Sequence, residues 1–246
     1  MSIHVNLTAK DVALIVCFTA LYAVFAYIPI FHILGVASSN ITASAITVPI
    51  IGILLGPYMG VLSAAFGGTI GFFLGTFFAP SLVSGIVAAG CAGLQFKGKR
   101  AWSILLYSSF LVVFGFYPST GPAWLFPLEM WFQIIGLLIL VSPLQPLAVK
   151  NLKSNRNAGM VVSFFIISLT STLAGQISGS LTYMMIYPSP LGGWQQLWEG
   201  LTFVYPIERI IIASGAAFVG GPLFKVLRSS DLAKTIMHDE QQKRYP

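Results

Sequence analysis

The sequence predicts an all-α, polytopic transmembrane helix bundle of six to eight spans with both termini cytoplasmic. Three observations predict it. The 246 residues are 56% hydrophobic and 8% charged, against roughly a quarter charged in a soluble domain whose surface faces water. Several apolar stretches reach the length of about 20 residues that a helix needs to cross hydrocarbon. Of the 13 Lys and Arg residues, all but Arg209 fall on one side of a bilayer if eight segments cross. The net charge of +6 therefore reads as membrane topology; the basic residues are not clustered as a nucleic-acid groove requires, so no nucleic acid is expected.

The apolar segments run over 12–31, 41–55, 58–78, 81–96, 101–117, 131–149, 159–187 and 203–227. The first follows Lys10 and Asp11 and exceeds a signal-peptide core in length, so it is read as a retained span. Segments 41–55 and 81–96 would each be about 23 Å long as helices, short of a hydrocarbon core of about 30 Å. Counting both as crossings gives eight spans, and treating both as re-entrant gives six. Dropping one alone would put the later basic loops outside, against the positive-inside rule. Residues 1–228 form one transmembrane domain in this reading, and 229–246 a short polar cytoplasmic tail.

Gly56-Pro57 separates the second and third segments, since proline lacks an N–H and restricts the residue before it. Beyond it, Gly60, Ala64 and Gly68 form one row of small residues, and Ser63, Gly67, Gly71 and Gly75 another. Such rows permit close backbone approach between membrane helices. They serve either packing within the bundle or contact with another helix or subunit. On the outer side, "YPSTGPAWLFPLEMW" at 117–131 and "YPSPLGGWQQLW" at 187–198 carry interfacial aromatics, with Pro and Gly marking turns rather than further helix.

Several chemistries have no sequence support. There is no G-x-x-x-x-G-K-[ST] phosphate loop, no H-E-x-x-H and no G-x-S-x-G, so no enzyme is indicated. Cys17 and Cys91 lie in apolar segments without a C-x-x-C pairing and read as packed side chains. With the initiator Met removed, His4 would be the third residue, an arrangement that can bind nickel or copper. It is read instead as an ordinary cytoplasmic residue and His32 as an interface residue, and no metal or cofactor is expected. End-of-span residues aside, segment interiors lack Asp, Glu, Lys, Arg and His, which speaks against a proton-driven carrier, while a sodium site of backbone and hydroxyl oxygens stays open.

"ALYAVFAYIPI", "VPIIGILLGPYMGVLSAAFGGTIGFFLG" and "PSLVSGIVAAGCAGLQFKGKR" together resemble the substrate-binding S component of energy-coupling factor (ECF) transporters. The resemblance covers residues 12–100 best, and "YPIERIIIASGAAFVGGPLF" at 205–224 is similar to the family's last helix. It implies capture of a vitamin-like small molecule at the outer side, with energy supplied by a transmembrane coupling subunit and an ATPase pair. It also implies docking through small residues, here Ala20 and Ala23, with Gly67 and Gly71 added. A strict A-x-x-x-A is absent from the first span, where Thr19–Ala23 is the nearest match. An autonomous secondary transporter or channel and a non-catalytic membrane scaffold are the alternatives.

A ligand pocket needs polar groups converging in an apolar cavity. The candidates are Asn40, Trp124, Glu129, Gln133, Gln176, Tyr183, Glu208 and Arg209. Gln133 and Gln176 stand out because an amide in hydrocarbon must find a partner, whether a ligand or another helix. Glu208 and Arg209, adjacent in sequence, point about 100° apart on a helix and need not pair. Glu208 is expected in a first helical turn, where a carboxylate favours the dipole. Trp124, Trp194 and Tyr183 are candidates for stacking on a flat ring.

Overall fold

The computed structural model describes residues 8–32, 40–117, 130–154 and 159–229. The first helix, α1 (Ala9–Phe25), starts at a capping box: Asp11 N–H donates to Thr8 Oγ1 at 3.3 Å, and Thr8 N–H donates to Asp11 Oδ2 at 2.9 Å. Such reciprocal bonds satisfy two donors that a helix start leaves open. The helix ends at Phe25, short of the expected residue 31. Pro29 cannot donate a backbone hydrogen bond and disfavours helical angles at Ile28. The chain turns instead into an antiparallel pair, β1 (Pro29–His32) and β2 (Asn40–Thr42), which the all-helical expectation lacked.

Helix α2 (Ser44–Phe73) is folded back on itself at Gly56, whose φ of 77° and ψ of −178° interrupt it. A Cβ added at Gly60 would lie 3.1 Å from the Cα of Gly52. Residues eight apart on a straight helix would be about 12 Å apart. Two arms, 44–55 and 57–73, thus form a tight hairpin, as the Gly56-Pro57 signal predicts. Helix α3 (Ala79–Phe96) packs into its crook, where a Cβ at Gly93 would meet Pro57 N at 2.5 Å and Gly56 C at 2.6 Å.

The chain continues through α4 (Arg100–Gly115), α5 (Trp131–Val141), α6 (Leu144–Lys153), α7 (Met160–Ile186), α8 (Gly193–Leu201) and α9 (Val204–Ser229). The expected single segment 131–149 is broken at Ser142-Pro143, with a 60° bend between α5 and α6. The stretch 187–198, expected as turns, contains most of α8. Its Trp194, Trp198 and Leu201 are buried while Gln195 and Glu199 are exposed, an amphipathic spacing hidden among turn-forming neighbours.

Contacts between named residues fix the helix directions. Ile15 and Thr19 meet Ser63, and Tyr22 meets Gly67 and Gly68, so α1 runs parallel to the second arm of α2. Gly52 meets Ala89 and Gly56 meets Gly93, so the first arm runs parallel to α3. Gly175 and Gly179 meet Ser84 and Pro80 in antiparallel order, and Gly220 near the end of α9 meets Phe164 near the start of α7. Tyr107 O–H donates to the Gln133 carbonyl at 2.9 Å, and the Arg100 guanidinium donates to the Val141 carbonyl, so α4 and α5 are antiparallel. Direction therefore alternates along α1, both arms of α2, α3, α4, α5, α7 and α9.

Helix α7 is central. Every residue from Ile167 to Leu181 is buried, as expected of a helix that is covered on all sides. By length and hydropathy, four described helices can cross a membrane: Ser44–Phe73, Ala79–Phe96, Met160–Ile186 and Val204–Leu227; the bent α5–α6 pair makes five. The protein is a multi-pass membrane protein of helices. This count is lower than six to eight because α1 and α4 have 17 and 16 residues, short of the roughly 20 of a typical span, and because α2 counts once despite its fold. One end of the bundle collects basic residues: Lys97 approaches Gly56, Lys99 lies over the Tyr58 ring at 5.8 Å, and Lys153 over Phe96 at 5.6 Å.

Apart from the exposed Gly75, the rows of small residues are covered from within. Ser63 Oγ donates to the Ile15 carbonyl at 3.4 Å and Thr19 Oγ1 to the Ser63 carbonyl at 3.3 Å. Gly67 lies beneath Tyr22 and the Thr19 carbonyl, Gly68 beneath Leu82, and Gly71 beneath Phe77. Gly67 and Gly71 therefore take the internal-packing alternative within this chain. Ala23 is also largely buried, whereas Ala20 is exposed.

Candidate functional site

At the end opposite the basic residues, a cavity of about 130 Å³ opens between the helices. Each wall has a sequence reason. The strand β2 and the first arm of α2 contribute Asn40, Ile41, Thr42, Ser44, Ala45 and Val48. The first turns of α3 contribute Pro80, Ser81, Ser84, Gly85 and Ala88, with small side chains leaving room. Helix α7 supplies Thr172, Gln176, Gly179, Ser180 and Tyr183, and α9 supplies Tyr205 and Arg209, four residues apart and hence on one face. Tyr22, Phe77, Phe78, and Leu197, Trp198 and Leu201 of α8 complete it.

The polar inventory is small and specific. Gln133 Nε2 donates to Gln176 Oε1 at 3.3 Å, so the two amides pair across α5 and α7. Gln176 faces the cavity while Gln133 stands behind it, with its Oε1 buried and unpartnered. Arg209 and Glu208 pair with Nη2 to Oε2 at 3.6 Å, both side chains largely buried. Adjacency does not require that pairing: the long guanidinium bridges the angle between neighbouring positions, and burial favours a partnered charge. Glu208 also lies in the second turn of α9, since the helix begins at Val204, so the dipole is not what places it. Trp198 Nε1, Arg209 Nε and Asn40 Oδ1 are buried without a hydrogen-bond partner.

Aromatic rings frame the opening. Tyr183 meets Phe78 at 6.3 Å and Trp194 at 5.2 Å, both edge-on. Trp194 stacks on Trp198 at 6.0 Å with 13° between planes, and Trp198 meets Tyr205 at 6.5 Å. Such geometries favour flat or partly apolar ligand surfaces.

Of the sequence candidates, Asn40, Gln176, Tyr183 and Arg209 converge on the cavity. Gln133 and Glu208 sit one layer back, each holding a cavity residue. Trp124 and Glu129 lie outside the described residues. Sequence reasoning chose Trp194 for stacking, yet Trp198 is the tryptophan that lines the cavity. It also missed Tyr22, Phe78 and Tyr205. The available signal was the amphipathic spacing of α8. The hydroxyls of Ser81, Ser84, Thr172 and Ser180 had no such signal, because serine and threonine are common in membrane helices.

Residues 1–66 match the BioY family. BioY proteins are S components of ECF transporters, typically biotin-specific. The match spans α1, the β-hairpin, the first arm of α2 and the start of the second. It supports the S-component resemblance and a role in transport at the membrane, and BioY is a transporter-component family rather than an enzyme family. No curated protein matches the chain, and no solved structure matches it. The matched part holds Tyr22 and the Asn40–Val48 wall of the cavity; Gln176, Tyr183, Trp198 and Arg209 lie beyond it.

Proposed function

We propose that this chain is the membrane-embedded capture subunit of an ATP-driven uptake system for a vitamin-like molecule, biotin being the first candidate. The observation that carries the reading is the cavity at the end opposite the basic residues, whose first wall is built from the segment that matches BioY. An apolar chamber with a few convergent polar groups suits one small, partly polar ligand. Placing the basic end in the cytoplasm follows the positive-inside rule and turns the cavity outward, with both termini inside. The alternating helix directions support a bundle of six to eight membrane segments, with the two arms of α2 counted separately only in the larger number. They form one transmembrane domain over 1–228, followed by a polar tail.

Biotin specificity, the coupling subunit and the ATPase pair come from the family. On this chain the exposed Ala20 of α1 is the proposed docking position. Asn40, Gln176, Tyr183 and Arg209 are the proposed ligand contacts, with Gln133 and Glu208 supporting them.

The test is direct. Full-length protein purified in detergent should bind biotin in calorimetric titration, and mass spectrometry should find a stoichiometric small molecule after purification. Uptake into liposomes should require co-reconstituted coupling and ATPase subunits. Uptake by this chain alone would replace the capture reading with that of an autonomous carrier.

A further inference from the structure

Tyr22 is the one residue of α1 that lines the cavity, and it reaches there through a socket of glycines. A Cβ added at Gly67 would meet Tyr22 Cδ1 at 2.8 Å, one at Gly68 would meet Cε1 at 3.7 Å, and one at Gly85 would land on the hydroxyl. Gly67 and Gly68 belong to the second arm of α2, and Gly85 to α3. A side chain at 67 or 85 would take the space that the ring or the hydroxyl now fills.

Phenylalanine would fill that socket as well, so packing accounts for the ring and not for the hydroxyl. Tyr22 is 2% exposed, and its hydroxyl has no hydrogen-bond partner among the described residues. Nor is it sealed in, as Asn40 Oδ1, Trp198 Nε1 and Arg209 Nε are. Buried polar groups almost always find partners, so a hydroxyl left open at a cavity wall is presented to what fills the cavity. The other named contacts of α1 run to the second arm of α2, where Ile15 and Thr19 meet Ser63. Its opposite face, with Cys17, Ala20 and Val24, is exposed.

We infer that Tyr22 links the cavity's occupant to α1: the hydroxyl contacts the ligand, and the ring fixes where α1 lies on α2. The inference deepens the capture reading of this cavity and rests on it. A side chain that touches the ligand at one end and seats a helix at the other makes the coupling reciprocal. Ligand binding restrains α1, and displacing the Tyr22 ring weakens binding.

Cys17 supplies the reporter, since it is exposed on α1 while Cys91 is buried. Full-length protein in detergent is labelled at Cys17 with an environment-sensitive maleimide dye. Gly85→Ala should shift the emission with no ligand present, because its Cβ displaces the Tyr22 hydroxyl. Gly85→Ala/Tyr22→Phe should return it to the parent value, since the nearest remaining atom is the ring Cζ, at 3.3 Å from the added Cβ. Biotin should shift the emission of the parent protein, and Tyr22→Phe should bind it about 5-fold more weakly, the loss of one hydrogen bond. If biotin fails to bind the parent while Gly85→Ala shifts the label and the double variant restores it, the biotin reading falls and the link through Tyr22 stands. If biotin binds the parent without moving the label, or binds Tyr22→Phe as tightly, the link is overturned and biotin capture survives. A folded Gly85→Ala protein with an unmoved label also overturns it. Should Gly85→Ala alone fail to fold, rescue by Tyr22→Phe supports the link and no rescue overturns it.

Discussion

Replacing Gly56 with alanine isolates what the turn inside α2 demands. At φ 77° and ψ −178° the backbone lies in a region that is essentially closed to residues with a Cβ. Space is not the obstacle, since the nearest atom to an added Cβ is Lys97 Cε at 3.1 Å, the far part of a flexible chain. The cost is conformational, about 2 kcal/mol. Asparagine, which tolerates the left-handed helical region near ψ +47°, gives no rescue because this ψ lies far from it. Gly93→Ala attacks the same turn from the other side, and there the obstacle is space: its Cβ would sit 2.5 Å from Pro57 N, backbone that cannot yield. Each single change should lower the midpoint of thermal unfolding by several degrees in detergent, followed by tryptophan fluorescence and loss of the monodisperse size-exclusion peak. The double variant should cost less than the sum, because opening the turn relieves the Gly93 clash. A Gly56→Ala protein as stable as its parent, or a Gly56→Asn protein restored to parental stability, would refute the folded-back hairpin.

Other outcomes follow from the same contacts. Glu208→Ala leaves the buried Arg209 guanidinium without its counter-charge and should destabilise by about 3 kcal/mol, with stability recovered in Glu208→Ala/Arg209→Met; thermal unfolding of both measures it. Tyr107→Phe removes the donor to the Gln133 carbonyl at 2.9 Å and should cost about 1 kcal/mol, read as a small fall in unfolding midpoint. Ala20→Trp should impair co-purification with a coupling subunit while leaving biotin affinity intact, whereas Gly67→Leu should lower expression, because it intrudes on Tyr22 and α1. An impermeant thiol reagent should label a cysteine placed at Gln195 in intact cells and one placed at Lys99 only after the membrane is permeabilised; labelling at Lys99 in intact cells would invert the topology.

The class of this protein was legible because the bilayer constrains composition so strongly. Few charges, long apolar runs and basic residues between alternate segments suffice to place helices in a membrane. The Gly56-Pro57 break was legible for a local reason, proline's missing N–H and glycine's freedom. The α8 helix was not, since its glycines and prolines masked an amphipathic period. Nor was the end of α1, where Pro29 diverted a run still apolar in composition.

By itself, then, the sequence determined helical class, membrane location, the turn in α2 and four of the residues that meet at the cavity. Which face of each helix looks inward was decided by tertiary packing, because membrane helices are apolar all round and hydropathy carries no phase. That is why Gly67 and Gly71, equal on paper to a docking stripe, lie beneath Tyr22 and Phe77. Packing likewise set Gln133 behind Gln176 and, within the buried face of α8, gave the cavity to Trp198 in place of Trp194.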